Sequence, residues 1–245
     1  YDTIKINRIN KKKDIVLFRG RFKKLVNKSK NSVFDTMAIL RSRGLVKKEN
    51  RYRIIVNKKI PVFSGLGGGT SNAAFLIKYF VKNKITNLNL RIFEKKVGSD
   101  LRLFFNKQVH QKSLKNLKEY KKNFTFYFVL VYPYIKCSTK NIYSKVKEYS
   151  SNSTIDTSKI KSKNRFIYLM RREHNDLQEI VVSKFFTLKR ILNFISVKEG
   201  CYFSRITGSG SVCFGIFKSK KSAILGLKSV KKKFPKYWCV VAKTI

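Results

Sequence analysis

The sequence of 245 residues contains little proline, glycine or histidine, with 3 Pro, 12 Gly and 2 His. Collagen-like chains, mucin-like stalks and flexible linkers are rich in proline, glycine or serine, so these classes are excluded. Hydrophobic residues make up 43% of the chain, close to the roughly 45–50% of globular proteins. The chain can therefore bury a core, and its length predicts one large domain or two modest ones.

Apolar runs long enough to span a membrane are absent as well. The apolar run at 124–135 has only 12 residues and contains Pro133. A membrane-spanning helix needs about 20 apolar residues, so this run predicts a buried strand. No signal-peptide pattern opens the chain, and we expect no membrane partner.

Cysteine and histidine are too few and too scattered to indicate a metal site. The four cysteines show neither CxxC nor zinc-site spacing, and the two histidines stand far apart. The sequence predicts no metal ligands, no histidine-based catalytic triad, and reduced structural thiols in a cytoplasmic protein. These residues are Cys137, Cys201, Cys213, Cys239, His110 and His174.

Acidic residues are scarce beside basic ones: 13 Asp and Glu against 56 Lys and Arg give a formal net charge of +43. Such a charge would suit nucleic acid or an anionic membrane surface. However, the basic clusters are spread from 11–13 to 231–233 rather than gathered into one arm. We therefore expect a solvated basic surface without a dedicated nucleic-acid partner, which is compatible with an anionic small-molecule ligand.

Hydrophobic periodicity predicts an α+β protein with two domains, 1–122 and 123–245. A change in composition near residue 122 gives that boundary. The predicted strands cover 2–9, 14–18, 51–56, 124–132, 202–206, 211–217 and 237–244. The predicted helices cover 32–43, 70–81, 89–97, 139–148, 166–182, 184–197 and 220–232, the first of them capped by Asn31.

A dense glycine segment lies between a predicted strand and a predicted helix. Four of the 12 glycines fall within 65–69. Glycine allows positive φ and close approach of a ligand to the backbone, and the first turn of a helix offers free N–H groups and a positive dipole end. Together they predict an anion site, most naturally for phosphate. The candidate nucleotide-binding residues here are Pro61, Val62, Phe63, Ser64, Gly65, Leu66, Gly67, Gly68, Gly69, Thr70 and Ser71.

This segment differs from two well-known phosphate loops. No GK[ST] follows the glycines, as a Walker A loop requires, and the GxGxxG spacing of dinucleotide-binding folds is absent. The hydroxyls of Thr70 and Ser71 can reach phosphate oxygens or a bound Mg²⁺. The alternative is a plain strand–helix connector with no ligand.

Asp100 is a candidate catalytic base. It is one of only 13 acidic residues, and it follows Gly98 at the end of a predicted helix. Phosphoryl transfer to a hydroxyl uses a carboxylate that orients the hydroxyl and accepts its proton. The alternative is an aspartate that only caps a short helix.

A second glycine turn, 207–210, joins two predicted strands in the C-terminal half. Its sequence is Thr-Gly-Ser-Gly, and its amides can form a second anion-binding nest. The alternative is an ordinary hairpin turn.

The three segments, taken in order, resemble the three motifs of the GHMP kinase superfamily. The first is PVFSGLGGGTSNAA at 61–74, the second is GSD at 98–100, and the third is TGSG at 207–210. Phe63 and Ser64 stand where the superfamily usually has smaller residues. The resemblance covers nearly the whole chain.

This resemblance implies an N-terminal ATP-binding domain and a C-terminal ferredoxin-like α+β domain. It implies ATP and Mg²⁺ as cofactors and Asp100 as the catalytic base. It also implies that Asn31 lies near the adenine and that Thr207 and Gly208 contact the substrate. The segment 174–177 resembles one that opens a C-terminal helix, where Asn175 is expected to act as a capping residue.

The GGGTSN ending resembles one branch of the superfamily. Members of that branch phosphorylate the 2-hydroxyl of 4-diphosphocytidyl-2-C-methyl-D-erythritol, a small molecule of the non-mevalonate isoprenoid pathway. The branch begins with an AK(I/L)N strand carrying a catalytic lysine, followed by a Gly-Tyr-His loop that holds the cytidine. Residues 5–7, Lys-Ile-Asn, imitate that strand only superficially, so we expect an N-terminal piece to be missing.

Three alternatives remain open at this point. The chain can be another GHMP small-molecule kinase of the homoserine or mevalonate type. It can be a remnant that binds nucleotide without transferring phosphate, as the missing lysine indicates. It can also be a basic RNA-binding protein, which rests on the net charge alone.

Overall fold

The computed structural model describes residues 1–82, 86–114, 116–120, 122–151, 155–156 and 159–244. These residues form two compact units. One consists of 1–62 and 67–107, and the other of 63–66 and 108–245. Each unit combines helices with an antiparallel or mixed sheet, as the sequence predicts. No helix in this part of the chain has the length and apolar character that crossing a membrane requires.

The first unit is a three-stranded sheet covered by helices. Its strands are β1 (Thr3–Ile9), β2 (Ile15–Arg19) and β3 (Arg51–Asn57), and its α-helices are α1 (Ser32–Ser42), α2 (Gly68–Val81) and α3 (Asn87–Val97). β3 is the central strand, antiparallel to β1 and parallel to β2. Short 3-10 helices cover Lys23–Leu25 and Ser99–Phe105.

The core of this unit follows the periodicity of its sequence. Ile54 and Val56 alternate along β3 and are fully buried, while Leu76 and Ile77 supply the buried face of α2. Alternation along a strand and helical spacing along α2 direct these side chains to one common interior. The glycine segment therefore leads from the end of the central strand into a helix anchored in the core.

The second unit is built on a four-stranded antiparallel sheet. The strands β6 (Tyr127–Tyr132), β7 (Cys201–Ile206), β8 (Cys213–Phe217) and β9 (Trp238–Lys243) lie in the order β7-β8-β6-β9. A separate hairpin joins β4 (Val109–Ser113) to β5 (Asn116–Glu119). The helices are α4 (Thr139–Tyr143), α5 (Lys163–Arg172), α6 (Asp176–Lys184), α7 (Phe186–Ser196) and α8 (Lys220–Lys233).

Both faces of the four-stranded sheet are covered. Val129 and Val131 of β6 pack into a cluster with residues of α6, α7 and α8. Ile216 of β8 packs into a second cluster with Ile167 of α5. Because successive side chains of a strand point to opposite faces, one sheet supplies both clusters.

Several sequence predictions of element bounds are confirmed, and others are wrong. The predicted helix at 166–182 is in fact two helices, α5 and α6, which are separated where Asn175 caps α6. The predicted helix at 139–148 ends at Tyr143. The hairpin β4–β5 was not predicted, because its polar, lysine-containing sequence lacks a clear alternation of apolar residues.

The chain passes from the first unit to the second between Lys107 and Gln108, whereas the sequence prediction set the boundary at 122–123. In the second unit, the side-chain amide of Gln108 donates to the backbone C=O of Phe124 and accepts its N–H. The assignment of 1–122 and 123–245 as functional domains stays a prediction.

Candidate functional site

The N-terminus of α2 has no side-chain cap. Its N-cap residue is Gly67, in the left-handed conformation with φ 63°. The helix α7, which begins after Phe185, also lacks such a cap. In contrast, the other α-helices of the described chain begin with an Asn, Ser or Thr whose side chain accepts a backbone N–H; these are α1, α3, α4, α5, α6 and α8. An uncapped first turn leaves N–H groups free for a ligand and keeps the positive end of the helix dipole exposed to it.

Three backbone N–H groups at this end have no acceptor in the described part of the chain. Ser71 donates the first bond of α2, to the carbonyl of Gly67 at 2.8 Å. The N–H groups of Gly68, Gly69 and Thr70 precede it and make no such bond. Gly68 is buried, whereas Gly69 is exposed and Thr70 is half-buried, so a phosphate can approach the last two donors from solvent.

Close packing explains why glycines are needed here. A Cβ on Gly67 would lie 2.7 Å from the ring of Phe104, and one on Gly68 would lie 2.9 Å from Cγ2 of Ile60. Any larger residue at either position would push the first turn of α2 away from its neighbours. The glycines therefore serve the position of the helix end as well as its accessibility.

The first part of the glycine segment, 63–66, belongs to the second unit. The carbonyl of Ser64 accepts the N–H of Val212 at 3.2 Å and the hydroxyl of Thr207 at 3.2 Å. Gly65 has φ 75°, and a Cβ there would lie 2.2 Å from the carbonyl oxygen of Thr207. The segment that the sequence groups as one loop is thus divided, with 63–66 packed on the turn 207–212 and 67–71 built into α2.

Asn31 lies beside the uncapped end of α2. Its side-chain oxygen caps α1 by accepting the N–H groups of Val33 and Phe34, which confirms the predicted cap. The next residue, Ser32, has its Oγ 3.2 Å from the position of a Cβ on Gly69. The beginnings of α1 and α2 are therefore neighbours, and the predicted role of Asn31 in adenine binding stays a prediction.

Asp100 is exposed at the start of the 3-10 helix 99–105. The segment that leads to it passes close to α2, since a Cβ on Gly98 would lie 3.7 Å from Oγ1 of Thr70. The helix is preceded by Gly98 and has no side-chain cap, so Asp100 does not cap it. The carboxylate forms no ion pair with any residue that the structure describes, and its one hydrogen bond is a weak one at 3.5 Å from the hydroxyl of Ser99. It is therefore available to a substrate.

Thr207 and Gly208, the predicted substrate-binding residues, form a turn with backbone contacts inside the second unit. The amide of Asn175 donates to the carbonyl of Gly208 at 2.9 Å and to that of Ile206 at 3.3 Å. The same side chain caps α6, as predicted, by accepting the N–H of Leu177. Asn175 thus ties the beginning of α6 to this turn, which the sequence did not reveal.

No cluster of three or more metal-ligating side chains occurs among the described residues. The thiols are poor candidates for chemistry because burial raises the pKa of Cys201 to about 11 and raises that of Cys213 further. Burial also lowers the pKa of His110. A Mg²⁺ ion bound here would thus rely on the ligand's own oxygens together with hydroxyls such as those of Thr70 and Ser71.

Three residues that the sequence did not indicate flank the glycine segment on its buried side. Asp2, Lys58 and Asn72 form a buried hydrogen-bonded group next to the first turns of α2. The sequence gives no clear signal for them, since Lys58 is one of two adjacent lysines directly after β3. Pairing it with a carboxylate 56 positions earlier requires the tertiary structure.

The sequence of this chain is similar to those of known kinases. The family model of the GHMP kinases C terminal matches residues 159–236. The 4-diphosphocytidyl-2-C-methyl-D-erythritol kinase of Pelagibacter ubique is 31% identical over 249 residues, which cover all of this chain and 87% of that protein. The enzyme of the same name from Buchnera aphidicola is 34% identical over 206 residues, covering 79% of this chain and 66% of that protein.

A solved structure has the same fold. The crystal structure of a 4-(cytidine 5'-diphospho)-2C-methyl-D-erythritol kinase matches with a TM-score of 0.71 and 18% identity, covering all of this chain and 86% of that one. At that identity the likeness concerns the fold alone.

Proposed function

This chain belongs to the GHMP kinase family, and from that membership we propose that it is an ATP-dependent kinase of the 2-hydroxyl of 4-diphosphocytidyl-2-C-methyl-D-erythritol. Two relatives that bear this kinase's name, at 31% and 34% identity, support the choice of substrate. The observation that carries the proposal is the uncapped N-terminus of α2, whose glycines leave three N–H groups without a protein acceptor.

The first unit would bind the phosphates of a nucleoside triphosphate. The N–H groups of Gly68, Gly69 and Thr70 would bind phosphate oxygens, and the α2 dipole would favour their negative charge. Asn31 shapes the neighbouring helix end, on which the adenine would rest. When bound, ATP supplies the γ-phosphoryl group that is transferred.

Asp100 would act as the general base. An exposed carboxylate without an ion pair can accept a hydrogen bond from the substrate hydroxyl, orient it for attack, and take its proton as the bond to phosphorus forms. The backbone N–H groups at α2 would meanwhile stabilise the charge that develops on the transferred group. Charge stabilisation and positioning are the main catalytic tasks in this chemistry.

Mg²⁺ would be held mainly by phosphate oxygens, with the hydroxyls of Thr70 and Ser71 as protein partners. In the second unit, the turn carrying Thr207 and Gly208 would contact the substrate. A kinase acting on a metabolite of this class would work in the cytoplasm, where ATP is available.

The test is a direct comparison of acceptors with the full-length protein. With ATP and Mg²⁺ present, we expect ADP release and a new phosphate ester, detected by ³¹P NMR, only with 4-diphosphocytidyl-2-C-methyl-D-erythritol. Homoserine and mevalonate serve as competing acceptors. Faster turnover of either one would contradict the substrate, and ATP binding without transfer to any acceptor would contradict the catalytic proposal.

A second measurement addresses the basic surface. In a filter-binding titration across salt concentrations, retention of RNA should be weak and insensitive to ATP. Tight RNA binding that falls steeply with salt, combined with no ATP binding, would favour an RNA-binding protein over a kinase.

A further inference from the structure

The side chain of Asp2 is almost completely buried and accepts hydrogen bonds from four donors. Its Oδ1 accepts the N–H groups of Lys59 at 2.7 Å and Ile60 at 2.8 Å. Its Oδ2 accepts the Lys58 ammonium and the Asn72 amide, the latter at 3.0 Å. The exposed fraction of the Asp2 side chain is 1%, and that of Lys58 is 4%.

These four donors lie on both sides of the glycine segment. Residues 58–60 immediately follow the central strand β3 and lead into the glycine segment. Asn72 lies on the other side of the segment, in the second turn of α2. One carboxylate therefore connects the two ends of the segment within the first unit. Lys58 also reaches the helix end directly, because its Nζ is 3.4 Å from the position of a Cβ on Gly68.

A buried ion pair of this kind contributes little net stability. The free energy needed to remove two charges from water equals or exceeds the free energy gained from their attraction. Apolar residues at these positions would therefore stabilise the core equally well. Lys58 is the only lysine or arginine classed as buried in the part of the chain that the structure describes. What apolar residues could not provide is a set of directional bonds to backbone N–H groups and to α2 at the same time.

We propose that Asp2 and Lys58 are positioning residues that hold the uncapped end of α2 in place for the nucleotide. This inference rests on the proposed function for its ligand, ATP. The carboxylate fixes the entry of the glycine segment through Lys59 and Ile60, and it fixes the exit through Asn72. The N–H groups of Gly68, Gly69 and Thr70 then point to one place before ATP arrives, so less ordering is needed on binding.

The chain offers a matched control in the same unit. Asp14 also accepts a basic side chain and a backbone N–H, from Arg41 at 2.7 Å and from Tyr52 at 2.8 Å. Tyr52 lies near the start of β3 and Lys58 directly follows its end, about 20 Å away at the rise of an extended strand. Asp14→Asn and Asp2→Asn therefore make the same chemical change in one sheet, but only the second is next to the glycine segment.

The experiment compares wild type, Asp2→Asn and Asp14→Asn in the full-length protein, at a temperature where melting curves show each one folded. A carboxamide leaves two of Asp2's four donors without an acceptor in either orientation. We expect Asp2→Asn to weaken ATP binding about tenfold or more, measured by calorimetry, because small displacements of binding groups are costly. Hydrogen–deuterium exchange should rise at amides 66–72 in this variant and not in Asp14→Asn.

Equal ATP affinity in wild type and Asp2→Asn, with unchanged exchange at 66–72, would overturn the inference and leave the proposed function intact. An equal loss of affinity in Asp14→Asn would also overturn it, because general destabilisation would then explain the result. If the wild type binds no ATP, the proposed function fails, and the exchange measurement still decides whether Asp2 positions the segment.

A second variant covers the case in which Asp2→Asn does not fold. Asp2→Leu combined with Lys58→Met replaces the ion pair by apolar groups of similar size, which buried pairs often tolerate. The N–H groups of Lys59 and Ile60 and the amide of Asn72 still lose their acceptor. We expect this double variant to be folded and yet weak in ATP binding, and normal ATP affinity in it would refute the positioning role.

Discussion

Replacing Gly65 by alanine should release residues 63–66 from the turn on which they pack. A Cβ at this position would lie 2.2 Å from the carbonyl oxygen of Thr207, 2.7 Å from its Oγ1 and 3.1 Å from the carbonyl oxygen of Gly210. Two of these three atoms are backbone, so the neighbours cannot yield by changing a side-chain rotamer. The segment itself must move, and the two hydrogen bonds to the Ser64 carbonyl are then lost.

The loss of stability can be worked out from two contributions. Gly65 has φ 75°, and a left-handed conformation costs a residue with a Cβ about 1–2 kcal/mol. Each of the two lost hydrogen bonds contributes about 0.5–1.5 kcal/mol. The free energy of unfolding of the second unit should therefore fall by about 2–5 kcal/mol.

Gly208→Ala isolates the first contribution. Gly208 also has positive φ, 49°, but a Cβ there would meet only the carbonyl oxygen of Gly65, at an ordinary 3.9 Å. It should therefore cost only the conformational strain of about 1–2 kcal/mol. Both glycines belong to the second unit, which also contains the chain's one tryptophan, Trp238.

The assay is urea unfolding followed by the fluorescence of Trp238, which is buried at 9% exposure. The free energies of unfolding of the two variants, each compared with wild type, should differ by the contribution of the two lost hydrogen bonds, with Gly65→Ala the less stable. If Gly65→Ala were no less stable than Gly208→Ala, the packing of 63–66 on the turn 207–212 would be wrong, and with it the division of the glycine segment between the two units.

Three further predictions concern single groups. Asp100→Asn should lower kcat by about 10²–10⁴-fold, with ATP affinity retained. As a control, Glu49→Gln changes another exposed carboxylate of the same unit and should alter neither kcat nor ATP affinity. Near-normal turnover of Asp100→Asn would exclude Asp100 as the base. Burial lowers the pKa of His110 in the folded state. The contribution of His110 to the free energy of unfolding should therefore be present above the unfolded pKa of about 6.5 and be lost as pH falls toward the folded pKa. Urea titrations from neutral to acidic pH should show this loss in wild type and less of it in His110→Gln. Cys137 and Cys213 are buried, and burial raises the pKa of both thiols. Both should react with a thiol reagent only after urea unfolds the chain, and rapid reaction at these two positions in the native protein would contradict their burial.

Features that depend on neighbours in the sequence were predicted well. The cap formed by Asn31 and the break of α3 at Gly98 are confirmed, and α2 begins at Gly68, two residues before its predicted start. Each depends on preferences that act within a few residues, such as a side-chain oxygen reaching an N–H two or three positions on. The family resemblance rested on the same local segments, and the match to relatives over the whole chain confirms it.

Other features of the structure were not predicted. The break between α5 and α6 was missed although six polar residues, 171–176, separate the apolar residues of the two helices. The hairpin β4–β5 escaped because a short polar strand pair has little periodicity. The hydrogen bonds between Gln108 and Phe124, next to the change of unit at Lys107–Gln108, have no signal in the local composition. The domain bounds 1–122 and 123–245 stay a prediction.

By itself, the sequence determined the family of the chain and predicted which segments carry the chemistry: the glycines 65–69, which lead into a helix, and Asp100 after Gly98. Only the tertiary structure decided how these segments are held. Ser64 is bonded to Thr207 across 143 positions, and Asp2 to Asn72 across 70. Local preferences fade within a few residues, whereas such bonds form only when buried apolar faces have brought distant backbone together. For that reason the sequence could indicate a nucleotide site, and only the fold could reveal the buried carboxylate beneath it.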